Sequence, residues 1–142
     1  MNVKIRRVDD DLKFEAANAG GYTVTTDGSP KSEGMRPMEL LLAAVGTCAA
    51  FDLVHILRKQ RQEVADVSAE VRGLRPDEGV PKPFGEIHIA FTLRGNPEEE
   101  KARRAAALAV EKYCSAGANL REDTEVTWSL DIEKTSEAEK RS

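Results

Sequence analysis

The sequence predicts an α+β fold, read in the order β-β-β-α-β-β-α-β. Three observations lead there. A stretch from Pro37 to Val64 begins with a proline, is apolar almost throughout and closes in the charged run RKQRQE, which reads as one long helix. Short runs on both sides of it alternate apolar and polar residues, the period-two pattern of half-buried strands. Asn96 and Pro97, followed by three glutamates, open an Ala-rich run and carry the start signals of a second helix.

Taken in order, NVKIRRV, LKFEA and YTVTTD are the first three strands. The acidic triplet Asp9–Asp11 separates the first pair and NAGG the second, so the three form an antiparallel meander. The Gly-, Ser- and Pro-bearing loop DGSPKSEGMR leads to the long helix. Proline is tolerated at a helix's first position, where its missing N–H would be unpaired anyway. Ala, Leu, Met and Glu, all strong helix formers, fill the first half. A helix apolar nearly all round is expected to be buried on most sides.

Beyond it, ADVSAEVRGL and GEIHIAFTLRG alternate as two further strands across a loop with three prolines. In the second of these, Ile87, Ile89 and Phe91 take one side and His88, Ala90 and Thr92 the other. The second helix is expected to start with Asn96 as its cap, to run through KARRAAALAVEKYCSA and to end near Gly117. Its Ala-rich face would let another helix approach closely. DTEVTWSLDIE is the sixth strand, and residues 135–142 read as a frayed, charged tail of one domain spanning 1–142.

Composition narrows the function. A chain of 142 residues with 40% hydrophobic and 32% charged residues builds one real core and is not a disordered segment. Its net charge of −4 argues against nucleic acid or an anionic membrane as partner. The N-terminal run MNVKIRRVDDD has no apolar core of signal-peptide length. The central apolar run approaches membrane length, but Asp52, His55 and the small residues Gly46, Thr47 and Ala49 favour a core helix. A cytoplasmic location follows, where a structural disulfide is not expected.

The two cysteines then become the chemical question. Cys48 lies mid-helix, with Asp52 and His55 near its face, and Cys114 lies late in the second helix. They are 66 residues apart (114 − 48), which excludes a CxxC motif or a zinc knuckle. Two inert buried thiols are one reading. The other is a thiol peroxidase, in which one thiolate attacks a peroxide O–O bond and a second thiol condenses with the sulfenic acid. Leu, Ala, Val and Phe around Cys48 supply the apolar setting that an organic peroxide needs. Scattered as they are, two histidines and two cysteines make no metal site.

The segments RPMELLLAAVGTCAAFDLVHILRKQRQEV, PFGEIHIAFTLRG and EKYCSAGANL, in this order, resemble the OsmC and organic hydroperoxide resistance superfamily. The likeness is to its OsmC-like branch and runs from about Asp27 to the last strand. It implies an α+β homodimer of intertwined chains, with about six antiparallel strands wrapped around two central helices. It also implies a cysteine-based peroxidase that reduces organic hydroperoxides, in which Cys48 attacks and Cys114 resolves. A dithiol, for which the family suggests a lipoyl-type group, would reduce the disulfide, and neither a metal nor an organic cofactor is implied.

The family's hydroperoxide reductases carry a Glu directly after the proline, paired with an Arg that holds the nucleophile as thiolate. Here that position is Met38 and the acid follows as Glu39, turned about 100° around the helix. Arg36 and Glu39 are therefore the candidate supporting residues, with a first-turn, dipole-favouring role the simpler one for Glu39. Asp52 reads best as half of an ion pair with Arg58 or Lys59, and His55 as a satisfied structural histidine. His88 reads as an outward or interfacial strand residue, and Glu111 and Lys112 as solvated helix residues. The alternative function is a non-catalytic binder of an acyl or aromatic molecule, with the thiols idle.

Overall fold

The computed structural model describes residues 1–136. It contains six strands, β1 (Val3–Arg7), β2 (Lys13–Asn18), β3 (Thr23–Asp27), β4 (Val64–Leu74), β5 (Glu86–Gly95) and β6 (Glu125–Glu133). Two helices, α1 (Pro37–Lys59) and α2 (Glu99–Leu108), complete the expected order. The chain divides into two compact units, Met1–Leu41 and Leu42–Ser142. The tail predicted from 135 falls largely on residues outside those described.

In the first unit, β1, β2 and β3 form the expected antiparallel meander in sequence order. Asn18 closes the β2–β3 turn, its Oδ1 accepting the amides of Gly20 and Tyr22 at 3.0 Å each. After β3 the chain folds back, and Asp27 N–H donates to the Met35 carbonyl at 3.1 Å. Arg36 then caps α1, with its carbonyl accepting from Leu40 N–H at 2.9 Å.

The second unit holds a three-stranded sheet in the order β4-β5-β6. The β4–β5 pair is antiparallel, whereas β5–β6 is parallel, which corrects the expectation of antiparallel strands throughout. The reason is the connection. α2 carries the chain back along the sheet, and a return of that length permits a parallel partner. Alternation in the sequence marks a strand's faces and says nothing of its direction.

Ile87, Ile89, Phe91 and Leu93 of β5 form the centre of the core, with Leu130 from β6. α1 adds a stripe at four-residue spacing, Val45, Ala49, Leu53 and Leu57, α2 adds Ala102, Ala105 and Ala106, and Ala109 follows directly after it. Each fully buried large side chain contributes about 1.5–3 kcal/mol through removal from water. Gly46 permits the approach of α1 to β4, because a Cβ there would lie 2.5 Å from Val71 Cγ2. α1 is long and apolar enough to cross a membrane, and its buried stripe is that of a core helix. Burial on most of its sides does not hold within one chain: Phe51 is 68% exposed, and Thr47 and His55 are exposed too.

The helix ends depart from the sequence reading in two places. α2 begins at Glu99 with Glu98 before it, two residues later than predicted. Asn96 does not cap it. Its Nδ2 donates instead to the carbonyl and Oγ1 of Thr135, both at 3.0 Å, tying the end of β5 to the chain beyond β6. At the other end α2 passes into a π-helical turn, Ala109–Tyr113, and Cys114 follows it in extended backbone. The predicted helix through to Gly117 therefore stops at Tyr113. A 3-10 turn, Gly117–Asn119, comes next.

Candidate functional site

Cys48 and Cys114 come together. Cys48 is half-buried in the middle of α1, and Cys114 is buried just past the π turn. Cys48 is near enough to Cys114 to raise its pKa, and both sulfurs are free thiols. Cys114 Sγ also lies 3.7 Å from the carbonyl oxygen of Val45, one turn before Cys48 on the same helix. Its remaining contact comes from below: Gly117 N–H donates to the sulfur at 3.2 Å.

The π turn explains this placement. A π turn widens the helix by one residue, and such turns recur at functional sites. Here it ends the helix directly before Cys114, whose backbone turns to φ −66°, ψ 101°. Gly117 leaves room for the sulfur, since a Cβ at that position would stand 3.2 Å from Sγ. The local sequence EKYCSAG is thus a cradle for one thiol.

Electrostatics keep Cys114 protonated. Burial raises its pKa above the usual thiol value, and the neighbouring Cys48 and the Asp52 carboxylate add to the rise. The Gly117 amide opposes them. Removal from water disfavours the charged form, and nearby negative charge does the same.

Asp52 stands one turn beyond Cys48. Its Oδ2 is buried and has no hydrogen-bond partner among the described residues. The ion pair expected with Arg58 or Lys59 is not formed, so that structural role is corrected. His55, a turn further, is exposed and likewise makes no hydrogen bond. Its predicted satisfied structural role is therefore also corrected.

Arg36 and Glu39 belong to the N-terminal unit and have partners of their own there. Glu39 Oε1 accepts the Arg36 backbone N–H at 2.9 Å, half of a capping box at the start of α1. The Arg36 guanidinium donates to the carbonyls of Gly28 and Ser29 at 3.2 and 3.1 Å. Glu39 therefore does the helix-start work that the sequence suggested as its simpler role.

His88 lies on the outer face of the second sheet, with Nδ1 2.7 Å from Thr127 Oγ1 and Nε2 3.1 Å from Ser129 Oγ. A cleft of about 370 Å³ opens there over Arg72, His88 and Thr127, and neither cysteine lines it. Glu111 and Lys112 are exposed, with Lys112 Nζ 5.4 Å from the Tyr113 ring centroid. No group of three or more His, Cys, Asp or Glu that could hold a metal exists among the described residues.

Residues 28–129, which include both cysteines, match the family model described as OsmC-like protein. The chain belongs to the OsmC-like protein family. It is 33% identical over 133 residues to Protein YhfA of Escherichia coli K12, covering 93% of this chain and 98% of that one. Among solved structures, this OsmC-like chain is similar to a hypothetical protein from Aquifex aeolicus, at 32% identity and TM-score 0.77, covering 93% and 96% of the two chains. Its fold is also that of more distant proteins. One is an organic hydroperoxide resistance protein OsmC from Legionella pneumophila, with TM-score 0.69 and 16% identity, covering 93% and 98%. Another is the organic hydroperoxide resistance protein OhrB of Bacillus subtilis, with TM-score 0.63 and 18% identity, covering 92% and 98%.

Two parts of the site escape sequence reasoning. The Val45 carbonyl and the Gly117 amide are backbone groups, and a sequence carries no mark for them. The Gly at 117 was visible, but as a helix stop.

Proposed function

We propose that this chain is a thiol-dependent peroxidase that reduces organic hydroperoxides. The observation supporting the reading is the meeting of two free thiols, 66 residues apart in sequence, from two different helical segments. The Cys48 thiolate attacks the O–O bond, becomes sulfenic acid and releases an alcohol. Cys114 then attacks the Cys48 sulfur, forming a disulfide and water. A small dithiol, of lipoyl type in the family, returns both thiols.

Residues 1–142 act as one OsmC-like domain, within the cell and as an intertwined homodimer. The exposed side of α1, with Phe51 at 68% exposure, supports the dimer, because a second chain would cover it. The apolar surroundings of Cys48 favour an organic substrate. Intact-mass measurement after one equivalent of cumene hydroperoxide tests the reading. A loss of two hydrogens is expected, and an unchanged mass overturns it.

A second reading has one observation behind it. Met38 occupies the family's Glu position, and the Arg36 guanidinium is bound to loop carbonyls. Without an activating pair, the protein is a binder of an acyl or aromatic molecule with idle thiols. Unchanged mass together with saturable binding of a fatty acyl probe would favour it.

A further inference from the structure

Two buried side-chain oxygens lack a hydrogen-bond partner among the described residues, Asp52 Oδ2 and Gln60 Oε1. Gln60 is twelve residues along from Cys48, about 18 Å by helix rise. Asp52 is one turn from Cys48, and its charge is felt at Cys114. A buried acceptor without a donor is costly, by about 1–3 kcal/mol for an ordinary polar group and more for a charged one. No Arg or Lys among the described residues relieves it.

We propose that Asp52 is the proton acceptor for the second thiol: its free Oδ2 takes the Cys114 proton as Cys114 Sγ closes on Cys48 Sγ. Cys114 needs such a group. It is buried, held as the thiol, and only a thiolate is an effective nucleophile. Among the described residues, the titratable side chains that act on it are Cys48 and Asp52, both from α1. His55, Glu111 and Lys112 are exposed, and the inward residues of β5 and β6 are apolar. The same carboxylate that favours the S–H proton at rest is the one positioned to receive it.

The step balances. The electron pair of the S–H bond becomes the S–S bond, while the S–O bond of the Cys48 sulfenic acid breaks with its pair to oxygen. The proton held on Asp52 passes to that hydroxide, which leaves as water, and the carboxylate is restored. This inference rests on the peroxidase reading for the source of oxidised Cys48, so its test uses no peroxide.

One equivalent of dithionitrobenzoate caps a thiol of the full chain and releases one thionitrobenzoate. Cys48, half-buried against buried Cys114, takes the cap, which peptide mass verifies. Attack by Cys114 then expels a second thionitrobenzoate, and its proton goes to Asp52. In wild type this second release should vary little over about pH 6.5–8.5. In Asp52→Asn it should be about tenfold slower near neutrality and rise about tenfold per pH unit, because hydroxide must now remove the proton. Asp52→Ser should behave alike, and Asp52→Glu should restore the flat profile. Neutral variants that close as fast as wild type, or slow without a changed pH profile, overturn the proposal. Wild type that never releases the second equivalent overturns this inference and the peroxidase reading together. Closure sensitive to Asp52 in a protein inert to hydroperoxide overturns only the peroxidase.

Discussion

Cys114 Sγ stands 3.7 Å from the carbonyl oxygen of Val45, and this contact brings the second cysteine to the helix that carries the first. A thiol at a helix's end has thus been delivered to the middle of another helix. Everything proposed for the chemistry depends on that delivery.

The two thiols should divide the work unequally. Cys48→Ser should consume no hydroperoxide in a single turnover. Cys114→Ser should consume about one equivalent and stall, because sulfenic acid forms on the attacking sulfur before the second thiol takes part. Dimedone adducts located by peptide mass check this. Labelling of Cys114 in Cys48→Ser, with none of Cys48 in Cys114→Ser, would reverse the roles.

Gly46 should tolerate a methyl group only if Val71 gives way. A Cβ at 46 meets Val71 Cγ2 at 2.5 Å, and valine's χ1 is stiff. Overpacking of this kind costs about 1–3 kcal/mol, against a gain of about 1 kcal/mol in helix propensity. Gly46→Ala should therefore destabilise the wild type and become neutral or stabilising in Val71→Ala. Urea melts of the double-mutant cycle decide it, and additive effects would refute the close approach.

These contacts show what a sequence can carry. Alternation in EIHIAFTLRG placed the inward residues of β5, and α1 begins at Pro37, where its start signal put it. The parallel pairing of β6 was invisible because side-chain period has no direction. The π turn before Cys114 was invisible because AVEKY suits an α-helix equally well. Asn96 looked like a cap, since nothing local foretells its bonds to Thr135, 39 residues away. Asp52 looked like half an ion pair because helix spacing offers Arg58 and Lys59 but does not oblige them to turn toward it.

The end of α1 carries a strain that can be removed. Arg61 has φ 56°, the left-handed conformation that glycine adopts without penalty. It sits in a Schellman turn, with Gln62 N–H donating to Leu57 O at 2.9 Å and Arg61 N–H to Arg58 O at 3.0 Å. Arg61→Gly should raise stability by about 0.5–1 kcal/mol, the conformational relief less the extra freedom of the unfolded chain. Arg61→Val should lower it. Thermal melts giving the same Tm for all three would exclude strain at this position.

Asp27 should make the N-terminal unit sensitive to acid. Its side chain is buried, with Oδ2 accepting the Glu33 amide at 3.0 Å and Oδ1 the Ser29 amide at 2.9 Å. These backbone donors, Glu33 first, and then the Ser29 hydroxyl hold its pKa at about 2, below the ordinary carboxylate value, while burial pulls weakly the other way. A carboxyl whose folded pKa is lowered adds stability that is complete above its unfolded value and is lost as pH falls through the folded one. The window therefore runs from about pH 4 down to about pH 2. Asp27→Asn keeps the shape but presents an NH2 group to one of the two amides, so it should be less stable than wild type at neutral pH. The gap should then narrow through the acid window, as wild type loses by protonation what the variant never had. Urea melts of both proteins at pH 7, 4 and 2.5 test this, and a gap that stays constant would show that the loop at 27–33 is held by something other than the charge on Asp27.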